Sequence, residues 1–495
     1  MSSIDFFCNL AEPVTALPHF WEHTVGSDHA PVALRADWQR QLQRCHKELG
    51  FQYVRFHGLL SDDMGTLVME KNQLLYSFFN ADKIFDFLLS IGMKPFVELS
   101  FMPTALASGN KTVFNYKANV TPPRDYKKWA TLIQKLISHL VERYAVAEVR
   151  EWFFEVWNEP NLKSFWTTTQ RDYFKLYRYT AEAIKQVDAS LRVGGPATAK
   201  SEWIEEFVNF CERNKVPVDF ITTHQYPTDG FESDEETGVQ LFKSQRGIMR
   251  EVAQDTYRQA RGRPVHYTEW NSSSNPRDPL HDESYAAAFA VATIMEAKGL
   301  VDGYSFWTFS DIFEENYFPS EPFHGGFGLL NLHGIPKPTY RAFELLHNIG
   351  TEQFLVDGLH ETVDCSVIRK DSTVTVLLTN HATPGHSIKT EHLEIRLNNV
   401  PEPSDAHIQR VDADHANPKL LWEEMGQPEY LTAKDVEQLQ EASILMKEKQ
   451  RFSYEDGAIF LKTDLPPHAV AAITVAFAQG ETEDSDEGTR AIINQ

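Results

Sequence analysis

The chain has 495 residues, 42% of them hydrophobic and 12% aromatic, and a formal net charge of -23 at pH 7. That length exceeds one ordinary core and predicts a large domain with a smaller companion, while the negative charge argues against nucleic acid or an anionic membrane as partner, because their phosphates would be repelled. Four scattered cysteines (Cys8, Cys45, Cys211, Cys365) without metal-ligand spacing, an opening 1–13 without the basic and apolar regions of a signal peptide, and no run of about 18 apolar residues set the expectation of a cytoplasmic protein without transmembrane helices.

Helical and strand patterns alternate along the chain. Residues 34–49 space apolar side chains as a helix does, and 51–58 read as a strand with a polar end. A helix over 81–91, stopped by Gly92, leads to a strand over 94–101. Then come a helix over 126–144, a strand over 151–157, a helix over 170–188, a short strand over 191–196 and a helix over 202–215. Strands over 218–227, 264–271 and 302–309 are separated by helices over 238–259 and 282–299, and a last helix begins at 339–346. Some seven or eight such units over roughly 350 residues predict an α/β fold of the (β/α)8 barrel type. The first strand is assigned to 19–25. A doubly wound open sheet competes, but no glycine-rich phosphate loop follows an early strand, and polar residues gather at strand C-termini, where barrels place their chemistry.

Past Gly350 the pattern changes. The stretches 361–369, 372–380, 392–397 and 469–477 are short and alternating, as in a β-sandwich, with a helical or irregular insertion over 434–447. The expected layout is a catalytic barrel over 15–350, a β-sandwich over 351–478 to which residues 1–14 contribute, and a disordered acidic tail over 479–495.

Two glutamates end predicted strands. Glu159 follows the aromatic run Trp152-Phe153-Phe154-Glu155-Val156-Trp157-Asn158, and Glu269 closes Val265-His266-Tyr267-Thr268. A carboxyl among aromatic rings at a strand end is placed to hold a raised pKa and donate a proton. In a barrel both would face one pocket, the minimum equipment for cleaving a glycosidic bond, although either could instead be a structural acid bonded to an arginine such as Arg55. His224 and Tyr226 share a strand face and could orient a carboxylate, and His57 has the same phasing with Arg55. Phe101, Phe114, Trp270 and Trp307 are candidate sugar-stacking surfaces, and Glu314 and Glu315 candidate partners of sugar hydroxyls. His266 and Glu269 form an HxxE pair whose members should lie on opposite strand faces, so no metal site is expected there, and no cofactor motif is present.

The combination of Tyr53-Val-Arg-Phe-His-Gly-Leu-Leu-Ser-Asp-Asp63, Phe154-Glu-Val-Trp-Asn-Glu-Pro-Asn161, Thr223-His-Gln-Tyr226, Tyr267-Thr-Glu-Trp-Asn271 and Ser305-Phe-Trp-Thr-Phe-Ser-Asp311 resembles glycoside hydrolase family 39, over about residues 15–350. The resemblance implies Glu159 as acid/base and Glu269 as nucleophile of a retaining mechanism, with carboxylates about 5–5.5 Å apart. It implies a sugar subsite made by Asn158, His57, Phe114, His224, Tyr226, Trp307, Glu314 and Glu315, with an oligosaccharide as substrate and homo-tetrameric assembly. The implied activity is β-xylosidase. A β-glucosidase, α-L-arabinosidase or α-L-iduronidase specificity, or a non-catalytic carbohydrate-binding protein, is the alternative. An iduronidase needs cationic contacts to a sugar carboxylate, and no extra Lys or Arg is evident at the rim. Ser272-Ser-Ser-Asn275 also departs from the family's pattern, in which an aromatic often follows the nucleophile motif.

Overall fold

The computed structural model describes residues 5–231 and 233–477, so the acidic stretch 479–495 lies outside the described residues. Eight parallel strands close a barrel: β1 (Thr24–His29), β2 (Tyr53–His57), β3 (Lys94–Leu99), β4 (Phe153–Val156), β5 (Arg192–Thr198), β6 (Phe220–Gln225), β7 (Val265–Trp270) and β8 (Gly303–Phe306). Each pairs with its neighbours in chain order, and β8 closes on β1 through Phe306 and Val25. Helices α1 (Ala36–Leu49), α2 (Phe79–Ser90), α3 (Tyr126–Tyr144), α4 (Gln170–Val187), α5 (Ile204–Asn214), α6 (Ile248–Ala260), α7 (Ser284–Glu296) and α8 (Pro338–Asn348) follow the strands in turn. This is the (β/α)8 barrel that the alternation predicts.

The first strand is displaced from its expected place. Residues 20–22 form a 3-10 turn, and β1 is the polar run Thr-Val-Gly-Ser-Asp-His. All six residues are buried, the polar Asp28 and His29 packing behind the cavity wall rather than facing solvent, so alternation could not mark the strand. The helix expected over 238–259 is two helices, Thr237–Lys243 and α6, broken at Gly247, whose φ of 84° a helix cannot accommodate.

Phe96, Phe153 and Phe220 plug the N-terminal end of the barrel, Phe96 stacking on Phe153 at 4.9 Å and His266 packing against all three. Polar side chains therefore concentrate at the opposite end.

Beyond α8 two sheets face each other. One has Val363–Lys370, Thr373–Asn380, Val470–Phe477 and Pro403–Val411 at its centre; the other joins Phe6–Asn9 to Glu391–Asn398 and Ala458–Leu465. Val376, Leu378, Ile395, Leu461 and Ile473 fill the space between them. α7 explains how sandwich and barrel are joined. Its run Ala-Ala-Ala-Phe-Ala-Val-Ala is buried on every side, and Leu377, Val470 and Ala472 of the sandwich belong to the same core cluster as the barrel. A helix apolar all round is stable only when covered on both faces. No helix among the described residues is long and apolar enough to cross a membrane.

Candidate active site

A cavity of about 470 Å³ opens at the C-terminal ends of the strands, with Glu159 and Glu269 on its wall. Glu159 is aimed there by an unusual backbone. Trp157 and Glu159 both have positive φ, 75° and 43°, a conformation costing L-residues about 1–3 kcal/mol each. Bonds from the Trp157 indole to the Phe165 carbonyl (2.9 Å) and from Glu159 N–H to the Ala197 carbonyl (2.7 Å) hold the turn. Glu269 arrives by a different device. The ladders of β7 with β6 and with β8 both shift register near it, so Thr268 bonds Glu155 inside the barrel while the next residue, Glu269, also reaches the cavity. His266, inside the barrel floor, and Glu269 are thus both interior, contrary to strict alternation, but at different depths.

Arg55 organises the carboxylates. Fully buried, it donates from Nε to Glu155 (2.5 Å), from Nη1 to Glu269 Oε1 (2.7 Å) and from Nη2 to Asn158 Oδ1 (3.0 Å), with Glu98 2.8 Å from Nη2. Glu269 is therefore both the arginine-bonded acid and a cavity-facing one. The Tyr226 hydroxyl donates to its other oxygen at 3.0 Å. With a guanidinium on one oxygen and a phenol on the other, Glu269 is held as an oriented acceptor.

His224 lies fully buried beneath both acids. Burial, then the charges of Arg55 and His57, drive its pKa well below the ordinary histidine value, so the ring is neutral. The Arg55 guanidinium, which can only donate, faces Nε2 at 3.3 Å, leaving Nδ1–H to donate to Glu159 Oε1 at 3.0 Å. Nδ1 is also 3.6 Å from Glu269 Oε2. Oxygens of Glu159 and Glu269 and a nitrogen of His224 all lie within 4.8 Å of one another. Such a trio could ligate a metal, but here Arg55 already supplies the compensating positive charge.

Burial, and next the charge of Glu269, raise the Glu159 carboxyl well above the carboxylate range, against a smaller opposing pull from Arg55. Glu159 thus holds its proton more tightly than an ordinary carboxyl does. Burial and the negative charge of Glu269 also raise the Tyr226 hydroxyl, keeping it a donor.

Asn158, His57, Phe114, Tyr226, Trp307 and Glu315 share the cavity wall with the two acids. His57 bonds Glu98 through Nδ1 (2.7 Å) and faces Glu269 and Glu315 through Nε2 at 3.6 and 3.5 Å. Burial, then the charges of Asp28, Glu269 and Glu159, raise the Glu315 carboxyl well above its usual range. The structure separates the acidic pair: Glu315 faces the cavity, whereas Glu314 turns away and bonds His29 Nε2 at 2.8 Å. Phe101 is buried behind Phe114, and Trp270 stacks on Tyr304 (4.3 Å) in the core, so neither lines the cavity.

Several wall residues escape sequence reading. Lys200, 2.6 Å from Asp229, and Arg277 do stand on the wall, correcting the expectation of a rim without extra cations. They come from loops, as does Phe231, whose ring meets Phe165 at 5.0 Å. Loop residues carry no periodic signal. Glu98 and Glu155 do sit on predicted strands, and their acidic character inside apolar runs is the cue that could have marked them.

Trp307 can lie across the barrel mouth because β1 has glycine opposite it. A Cβ built on Gly26 would come 2.5 Å from the indole ring, closer than side-chain atoms approach. Gly26→Ala should push Trp307 into the cavity and raise KM for a substrate bound there by about tenfold, a cost of about 1.4 kcal/mol, with a smaller change in kcat. Steady-state kinetics checks this, and an unchanged KM contradicts it.

Residues 8–459 match the family model for glycosyl hydrolases family 39. The chain is 49% identical over 474 residues to a beta-xylosidase of Caldicellulosiruptor saccharolyticus, covering 94% of this chain and 97% of that protein. It is 38% identical to a beta-xylosidase of Geobacillus stearothermophilus, covering 93% and 94%. Among solved structures, a monomeric beta-xylosidase from Caulobacter crescentus superposes with a TM-score of 0.85 at 32% identity, covering 96% of this chain and all of that one.

Proposed function

The chain belongs to glycosyl hydrolases family 39, and from that premise we propose that it is a retaining exo-β-xylosidase, with Glu269 as nucleophile and Glu159 as acid/base. The observation that supports the mechanism is that one carboxyl oxygen of each acid lies within 4.8 Å of the other, around His224. Inverting enzymes keep their carboxyls about 6.5–9.5 Å apart to admit a water between acid and sugar; retaining ones, at about 5–5.5 Å, leave room only for direct attack. The sugar assignment is supported by the two long, full-coverage beta-xylosidase relatives.

In the first step Glu269 attacks the anomeric carbon. The bond to the leaving oxygen breaks and takes the Glu159 proton. In the second, Glu159, now a carboxylate, takes a proton from water, the water oxygen bonds the anomeric carbon, and the bond to Glu269 breaks. Arg55 and Tyr226 receive the negative charge as Glu269 departs, through bonds already formed at 2.7 and 3.0 Å. Asn158, whose oxygen is held by Arg55, keeps its amide N–H₂ free for a sugar hydroxyl beside the reacting carbon.

A panel of nitrophenyl glycosides tests the reading. The β-D-xylopyranoside should be the best substrate, and proton NMR of the first product should show β-xylose. Preference for an α-L-iduronide, or release of α-xylose, would overturn it. A further expectation concerns protonation. Because the charge of Glu269 helps hold the Glu159 proton, Glu159 should titrate at lower pH in Glu269→Gln than in the native protein. Carbon-13 NMR of labelled glutamate measures this, and an upward shift contradicts it.

A further inference from the structure

At the end of β1, behind the cavity wall, Asp28 and His29 are buried side by side and touch no space open to substrate. His29 is nonetheless a junction. Its Nε2 lies 2.8 Å from Glu314 Oε2, its Nδ1 3.4 Å from Asp63 Oδ2, and its ring stacks on Tyr116 with centroids 3.8 Å apart and planes 5° from parallel. The Asp28 carboxylate holds the backbone of the same loop, its Oδ2 accepting the Glu314 N–H at 2.6 Å. One residue further on, the Glu315 carbonyl accepts the N–H of Asn115 at 2.9 Å. Three segments therefore meet at one imidazole: the loop after β8 that carries Glu315, the hairpin at 112–119 that carries Phe114, and the loop after β2 that carries Asp63.

The charge balance favours an imidazolium here. Burial works against it, but the contacts with Asp63 and Glu314 and the nearby charge of Asp28 outweigh burial and raise the His29 pKa to about 9. Glu314 in turn is held below the ordinary carboxylate range, chiefly by His29. A neutral residue at position 29 would leave these acids facing one another, with repulsion driving apart the β8 loop and the end of β1.

We propose that His29 is a positioning residue, clamped between Glu314 and Asp63 and stacked under Tyr116, which fixes Glu315 and Phe114 on the sugar-facing wall. It rests on the reading of that wall as a glycosidase subsite. The role explains why two adjacent glutamates point in opposite directions. Glu314 is the anchor and Glu315 the presented group.

A double-mutant cycle distinguishes positioning from general structural support. His29→Ala should lower kcat/KM on nitrophenyl β-xyloside by about 10–100-fold, most of it in KM. If His29 acts through Glu315, the His29→Ala/Glu315→Ala protein should be no more than about threefold worse than Glu315→Ala alone. Fully additive losses, or a loss confined to kcat, would overturn the proposal. Glu314→Gln, altering a side chain 30% exposed, provides the same cycle should His29→Ala fail to fold. Hydrogen exchange read by mass spectrometry adds a readout independent of turnover. Amides of 112–119 and 310–318 should exchange faster in both single variants, and unchanged exchange there would overturn the proposal. Loss of the functional reading itself would appear separately, as a native protein that turns over no glycoside yet shows the same exchange response.

Discussion

Glu269→Ala is expected to lose turnover of aryl β-xylosides by on the order of 10⁵-fold, while the protein stays folded. The argument is geometric and electrostatic. Glu269 is the one of the two close acids that carries a guanidinium and a phenol as donors, so it is the group prepared to be charged and to leave as a carboxylate. Without it no covalent intermediate forms, and the remaining side chains give only binding and proton donation. Glu159→Ala should behave differently. Proton donation contributes about 10²–10⁴-fold, and it matters only where the leaving group needs it. Hydrolysis of xylobiose should therefore fall steeply, whereas a dinitrophenyl xyloside should still react with Glu269 and accumulate as a covalent intermediate. Azide, which needs no general base, should restore its turnover and yield β-xylosyl azide. Mass spectrometry of the trapped intermediate on Glu269 is the direct check. Native-like activity in Glu269→Ala, or an α-azide product from Glu159→Ala, would refute the assignment of roles.

The barrel was legible because its signals are local and repeated. Amphipathic helices such as α3, with Trp129, Leu132, Ile133, Leu136 and Leu140 buried on one face, stand between apolar strands ending in polar residues. β1 was not legible for the complementary reason: its Ser27, Asp28 and His29 are buried, and polarity that serves the barrel mouth looks like a loop. The acids Glu159 and Glu269 stood out as strand-end carboxylates. Their environment did not, because it comes from distant pairings. Arg55 could be read as holding a structural acid or a functional one, and only the fold reveals that it holds several at once. Glu314 and Glu315 are adjacent and chemically identical, and what separates them is Asp28 and His29, some 285 positions earlier in the chain. No periodicity conveys such a pairing, nor which loop residues, Phe231 or Arg277 among them, will reach the wall.

Arg55→Met should be the most damaging single change to stability. The guanidinium is 0% exposed and is bonded to Glu155, Glu269 and Asn158 with Glu98 beside it. Methionine fills comparable volume but removes the fixed fork of donors that serves these acids. Breaking a single buried ion pair costs about 3–5 kcal/mol, and here three carboxylates lose their cation together. The sign of the pH dependence follows. In the native protein Glu98 is buried, which works against its charge, yet His57 and Arg55 hold its pKa below the ordinary value. Its contribution is therefore present above the unfolded pKa and lost as pH falls through the folded one. Without Arg55 burial is unopposed by the guanidinium, so the folded pKa of Glu98 rises above its unfolded value, and that of Glu155, which burial already raises in the native protein, rises further. Their charged forms then favour unfolding, so the variant should be most stable in mild acid and lose stability toward neutral pH. Arg55→Lys should recover only part of this loss, since one ammonium cannot reach four separated acceptors. Urea unfolding at pH 5 and pH 7.5 separates the outcomes. A variant as stable as the native protein at pH 7.5 would mean that the buried acids are protonated without Arg55 or compensated by other groups, and that Arg55 is not what holds Glu269 in its reacting position.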